Sequence, residues 1–91
     1  MHAVVTKVTV TEGESATKFL REEIVPRVSQ APGLVAAYWV RLEGGDEGNS
    51  VIVFESEDAA RDAANQIREN VGGNPGVTLN DVSVGEVVAS A

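Results

Sequence analysis

Leu34-Val35-Ala36-Ala37-Tyr38-Trp39-Val40-Arg41-Leu42, followed after a polar turn by Val51-Ile52-Val53-Phe54-Glu55, is the stretch that decides the fold of this chain. Both runs are short and rich in β-branched and aromatic residues, the composition of strands. Gly44-Gly45-Asp46-Glu47-Gly48-Asn49 between them has room only for a hairpin connection. The pair therefore reads as two adjacent antiparallel strands, Leu34–Leu42 and Val51–Glu55, and each is flanked on its outer side by a helix signal.

Upstream, Ala16, Phe19, Leu20, Ile24 and Val28 recur at three- and four-residue spacing, an amphipathic helix with Ser15 as its N-cap and Glu23 and Arg27 at i and i+4 on the wet side. Pro26 removes one helical donor, which predicts a kink or a tightened last turn before Ala31-Pro32-Gly33 ends the segment. Downstream, Ser56 caps a second helix whose first turn carries Glu57 and Asp58, well placed for the helix dipole. Ala60, Ala63, Ala64, Ile67 and Val71 form its apolar stripe, small enough for close packing on a sheet, and Gly72-Gly73-Asn74-Pro75-Gly76 stops it. At the ends of the chain, Val4, Thr6, Val8 and Val10 alternate with Val5, Lys7, Thr9 and Thr11, and Val77–Val88 supplies a last strand expected to bend near Gly85. The order is β-α-β-β-α-β. It predicts an α+β, ferredoxin-like domain, a four-stranded antiparallel sheet with two helices on one face.

The 91 residues allow one domain, 1–91. A domain of this size buries only about 60–65 per cent of its unfolded surface, and without cysteine no disulfide or thiolate metal site supports it. The N-terminus runs straight into strand residues with no signal-peptide pattern, and no run reaches the roughly 18 apolar residues of a membrane helix, so a cytoplasmic protein is expected. A net charge of −7 repels phosphate backbones and anionic lipid, which argues against nucleic-acid and membrane partners. With one histidine, no cysteine, scattered acidic residues and no G-x-G-x-x-G or Walker sequence, the residue inventory calls for no metal and no cofactor.

A sheet covered on one face should show polar residues at every second position. Val4 and Val5, Ile52 and Val53, and Val87 and Val88 instead put apolar groups on both faces. Ninety-one residues leave nothing over to cover the second face, so a homodimer that packs two such faces together is expected.

The run Ala31-Pro32-Gly33-Leu34-Val35-Ala36-Ala37-Tyr38-Trp39, then Ser50-Val51-Ile52-Val53-Phe54-Glu55-Ser56-Glu57-Asp58-Ala59-Ala60, then the valine-rich end, resembles the small dimeric α/β-barrel proteins of the antibiotic biosynthesis monooxygenase superfamily, most of all its actinobacterial-type members of no established activity. The resemblance covers essentially the whole chain. It implies two sheets facing each other across a dimer interface and, in each subunit, a cavity between sheet and helices. Some members of the superfamily are cofactor-independent oxygenases of electron-rich polycyclic aromatics, and others degrade haem with an asparagine, a tryptophan and a histidine. The haem-degrading pattern is not met: the single histidine is His2, strand one carries Thr6 and Thr9 in place of asparagine, and the second helix offers Asn65 and Gln66 with no proximal ligand.

Trp39 and Arg41 point the same way from their strand. Strict alternation puts Leu34, Ala36, Tyr38, Val40 and Leu42 on the helix-packed face and Val35, Ala37, Trp39 and Arg41 on the other. Trp39 can stack on an aromatic ligand and Arg41 can anchor a carboxylate or phenolate. The competing reading makes Trp39 a dimer-interface anchor and pairs Arg41 with Glu43 or Glu55. A one-residue shift in register would turn Tyr38 toward the cavity instead. Lys7, mid-strand, must snorkel to water or find a carboxylate such as Asp81 or Glu86, and Thr6, Thr9 and Ser83 offer cavity hydroxyls. Phe54, the one aromatic of strands one and three, completes a candidate ligand-binding set of Trp39, Arg41, Tyr38, Lys7 and Phe54. His2 offers an imidazole as a general base but is expected to be solvated so close to the terminus. No catalytic residue is singled out. The inventory favours a homodimer binding a small hydrophobic or aromatic molecule, with cofactor-independent monooxygenation of aromatic, polyketide-like substrates as the alternative.

Overall fold

The computed structural model describes residues 1–70 and 77–91. Strand β1 (His2–Val10) is followed by one helical segment made of α1 (Gly13–Phe19), a π-helical turn (Leu20–Ile24) and α2 (Val25–Val28). Then come β2 (Leu34–Arg41), β3 (Glu47–Phe54), α3 (Glu57–Asn70) and β4 (Val77–Glu86). The strands form a single sheet in the order β2-β3-β1-β4, with every neighbouring pair antiparallel. This is the ferredoxin-like α+β arrangement.

The helix-facing side of the sheet carries the core. Val4 and Phe54 are fully enclosed, with Ile52 between them, and the methyl groups of Ala60 and Ala64 on α3 lie against them with no exposure. The alanines let α3 sit close on the sheet, as their spacing predicts. Its start also agrees with the sequence: the Ser56 hydroxyl accepts from the Ala59 amide at 3.2 Å. Val71 and the stop at residues 72–76 lie outside the described residues.

The first helical segment differs from its sequence reading at both ends. Helix α1 begins at Gly13, where the Ala16 amide donates to the Glu12 carbonyl, so Ser15 lies inside the first turn and caps nothing. The Val10 amide is still bonded to the Asp46 carbonyl, which leaves only two residues for the turn out of the sheet. At the other end the helix widens where a kink or tightening was expected. The Val25 amide reaches back five residues to the Leu20 carbonyl, and Pro26 falls in the first turn of α2, where a missing donor costs nothing. The insertion keeps the stripe in phase: Ala16, Phe19, Leu20, Ile24 and Val28 are all half-buried.

Strand β3 starts at Glu47, earlier than its apolar run suggests, because Gly48-Asn49-Ser50 pairs as strand. At Gly48 a Cβ would lie 3.1 Å from a Val8 methyl and 3.4 Å from the Val40 carbonyl, so the residue that resembles a turn signal is the one small enough for that place. Strand β4 ends at Glu86 and runs straight past Gly85, which pairs with Ala3. Its irregularity comes earlier, where the register slips between Lys7 and Val8 and leaves Asn80 unopposed.

Candidate functional site

The geometry of the site follows from a second slip. Strand β2 pairs Leu34 with Phe54 but Ala36 with Val53, so Val35 is an extra residue and the strand changes phase across it. Leu34 faces the helices, as alternation predicts. Beyond the bulge Ala37, Trp39 and Arg41 take that side, opposite Ile52, Ser50 and Gly48, while Ala36, Tyr38 and Val40 turn to the open face beside Val53, Val51 and Asn49. The expected assignment of Trp39 and Arg41 to the face away from the helices, and of Tyr38 to the core, is therefore reversed.

On the helix side, Trp39 is half-buried and packs on the core cluster with Leu34, Ala37 and Val28. Beside it in the same tier, Ser50 on β3 and Thr6 on β1 are each 5% exposed, and their hydroxyls are hydrogen-bonded to each other at 2.5 Å. A buried hydroxyl without a partner is costly, and this pair satisfies itself. Of the three hydroxyls named from the sequence, only Thr6 lies on this side. Thr9 accepts from the Asn80 amide at 2.8 Å, and Ser83, exposed, donates to the Asp81 carboxylate at 3.1 Å.

Arg41 ends β2, an edge strand, and its guanidinium lies across the first turn of α1 over Gly13. Neither Glu43 nor Glu55 pairs with it; the ion pairs under 4 Å among the described residues are those of His2 and Arg61 with Glu57. An open cleft of about 430 Å³ is lined by Arg41 together with Glu14, Lys18, Arg21 and Glu22 of the helical segment. No side chain of this segment is fully buried, in contrast to Ala60 and Ala64 of α3.

The other candidates are dispersed. Phe54 is 2% exposed and belongs to the core. Lys7 is exposed on the open face, in register with Asp81, one of its two expected partners, but has no ion pair among the described residues. Glu86 stands opposite His2 instead. His2 is half-buried and partnered where a solvated side chain was expected: its Nε2 lies 3.3 Å from the Glu57 carboxylate, which Arg61 also reaches at 3.3 Å, so β1 is tied to the first turn of α3. Sequence reasoning missed Ser50, Gly13, Lys18 and Arg21. The spacing of Lys18 and Arg21 places them on one helix face, and Ser50 shares the alternation of Ile52 and Phe54, so both signals were present.

The open face carries Val5, Tyr38, Val40 and Val51 at 42, 65, 51 and 38% exposure, alongside Ala3, Ala36 and Val53. This is the apolar second face that the sequence requires.

Solved structures share the whole arrangement. SnoaB, a cofactor-independent oxygenase from Streptomyces nogalater, superposes with a TM-score of 0.74 at 15% identity over 98% of this chain and 94% of its own. The fold is that of the antibiotic biosynthesis monooxygenase type. A second neighbour, the monooxygenase ActVA-Orf6 from Streptomyces coelicolor in complex with nanaomycin D, gives 0.62 at 17% identity over 98% of this chain and 92% of its own. A dimeric ferredoxin-like protein from an uncultured marine organism gives 0.63 at 14% identity over 100% and 98%. No protein-family model matches the sequence, and no curated protein matches it. Among the described residues no helix is long and apolar enough to cross a membrane.

Proposed function

We propose that the protein is a homodimer whose subunits pack their open sheet faces together, each binding a small hydrophobic or aromatic molecule between the first helical segment and the sheet. The observation that carries this reading is the Val35 bulge. It turns Trp39 and Arg41 to the helix side of the sheet and leaves Tyr38, Val40, Val5 and Val51 as an apolar surface that no other described residue covers. The dimeric state of one fold neighbour supports the assembly. Trp39 supplies a flat π-face and Arg41 a charge at the mouth, and the loosely seated helical segment supplies the space.

A second reading, cofactor-independent monooxygenation of an aromatic substrate, draws support from the likeness to SnoaB and ActVA-Orf6. Against it stands the inventory of the site: the Thr6 and Ser50 hydroxyls are engaged with each other, and the histidine is held by Glu57 at the other end of β1. Calorimetric titration with a panel of planar aromatics, run in parallel with oxygen uptake, separates the two. Binding without oxygen consumption is the expected result. Turnover abolished by Trp39→Ala would establish the enzyme, and no binding by any member of the panel would refute the ligand-binding reading.

A further inference from the structure

We infer that the cleft between the helical segment and the end of β2 takes the carboxylate of an aromatic acid, held by Arg41 with Lys18 and Arg21 across from it. This rests on the reading of the helix side of the sheet as ligand-bearing and adds the chemical class of the ligand. The chain has seven basic residues and a net charge of −7, yet three of the seven line this one cleft. Of the other four, Lys7 and Arg27 also have no ion pair under 4 Å among the described residues but do not line the cleft, and the remaining two are held by neighbours. Arg61 pairs with Glu57, and Arg68 donates to the Asn65 side chain and the Val82 carbonyl. Arg41, Lys18 and Arg21 have no ion pair under 4 Å among the described residues, although Glu14 and Glu22 line the same cleft.

Three cations against two carboxylates leave the lining of the cleft with a net positive charge in an acidic protein, and that charge attracts an anionic ligand. Arg41 is also seated. Gly13 leaves open the space beneath its guanidinium, where a Cβ would stand 2.6 Å from Nη1 and 3.0 Å from Cζ and Nη2. Arg41 lines the cleft, and a planar guanidinium matches a carboxylate through two parallel hydrogen bonds. The cleft, about 430 Å³, falls in the range of small-molecule sites and is far larger than an inorganic anion needs. Trp39, two residues along, shares the helix-facing side of β2 with Arg41 and offers an aromatic ring attached to that carboxylate a surface to stack on.

The test is calorimetric titration of the intact protein with naphthalene-2-carboxylate, naphthalene-2-carboxamide and inorganic phosphate, repeated on Arg41→Gln and on the double variant Lys18→Gln/Arg21→Gln. The acid is expected to bind about fivefold or more tightly than the carboxamide, a gap that shrinks with added salt and closes in Arg41→Gln while carboxamide affinity stays the same. The double variant narrows the same gap and guards against a folding defect particular to Arg41. Equal affinities for acid and carboxamide in the unaltered protein would overturn the inference and leave aromatic binding standing. Phosphate displacing the acid at equal concentration would overturn it too, reducing the cleft to a general anion site. If neither naphthalene compound bound, the ligand-binding reading would fail and this inference with it.

Discussion

Replacing Gly13 by alanine should strengthen the fold slightly and weaken the binding of an aromatic acid, two effects that usually run together and here are expected to separate. The new methyl would meet only the far end of one flexible side chain, with Arg41 Nη1 at 2.6 Å and Cζ and Nη2 at 3.0 Å. The guanidinium has to retreat by roughly 0.8 Å to reach ordinary contact distance, and an exposed edge-strand arginine can do so without disturbing the backbone. Alanine is favoured over glycine by up to about 1 kcal/mol in a helix interior and by less in a first turn, so the expected gain is about 0–0.5 kcal/mol, or at most about 4 °C in Tm. Binding should move the other way. A charge-assisted hydrogen bond is worth about 1.5–3 kcal/mol, and solvent exposure at Arg41 discounts it to about 1, which is close to a fivefold loss of affinity for naphthalene-2-carboxylate. Thermal unfolding and calorimetric titration on one preparation read both effects. A fall in Tm beyond about 4 °C, or unchanged affinity for the acid, would show that Gly13 does not seat Arg41 in the way described.

Other substitutions probe the two faces separately. Tyr38→Glu, at a position 65% exposed in the subunit, should leave the subunit fold intact and raise the dimer dissociation constant by about 30-fold, as measured by sedimentation equilibrium. Thr6→Val leaves the Ser50 hydroxyl buried without its partner and should cost about 1–2 kcal/mol in urea unfolding; Thr6→Val combined with Ser50→Ala should recover most of that, and purely additive losses would mean the pair is not coupled. Phe54→Ala opens a cavity at the centre of the core and should cost about 3–5 kcal/mol, with a small effect excluding Phe54 as the core's anchor.

The elements themselves were legible because periodicity is a local property. The stripe Ala60, Ala63, Ala64, Ile67 and the Ser56 cap specify α3 without reference to anything distant, and the alternation of β1 specifies its two faces. The requirement for apolar residues on both faces was equally legible. What the sequence concealed was phase. Val35, Ala36 and Ala37 are all small or β-branched and apolar, so nothing in their chemistry marks which of them is the extra residue. The bulge is set by pairing with β3, a contact between distant residues, and every side chain beyond it changes face. Trp39 and Arg41 were therefore recognisable as a pair on one side, but the wrong side was assigned. The same holds at Asn80, where the slip is decided by pairing with β1, and at Gly48-Asn49-Ser50, where residues with the look of a turn extend a strand because the space over Gly48 is closed. The cleft was hidden for a different reason: Lys18 and Arg21 read as an ordinary wet face until Arg41 is seen to arrive across from them.

The central claim is that each subunit keeps Trp39 inside while a second copy covers the opposite face, and tryptophan emission followed through dissociation tests it most directly. Trp39 is the only tryptophan, so diluting the protein from high to nanomolar concentration, with light scattering in parallel, reports one indole. The account predicts that the mass falls from dimer to monomer while the emission maximum stays in place. A red shift that tracks dissociation would put Trp39 in the interface, and a monomer at every concentration would leave the apolar face without the partner assigned to it.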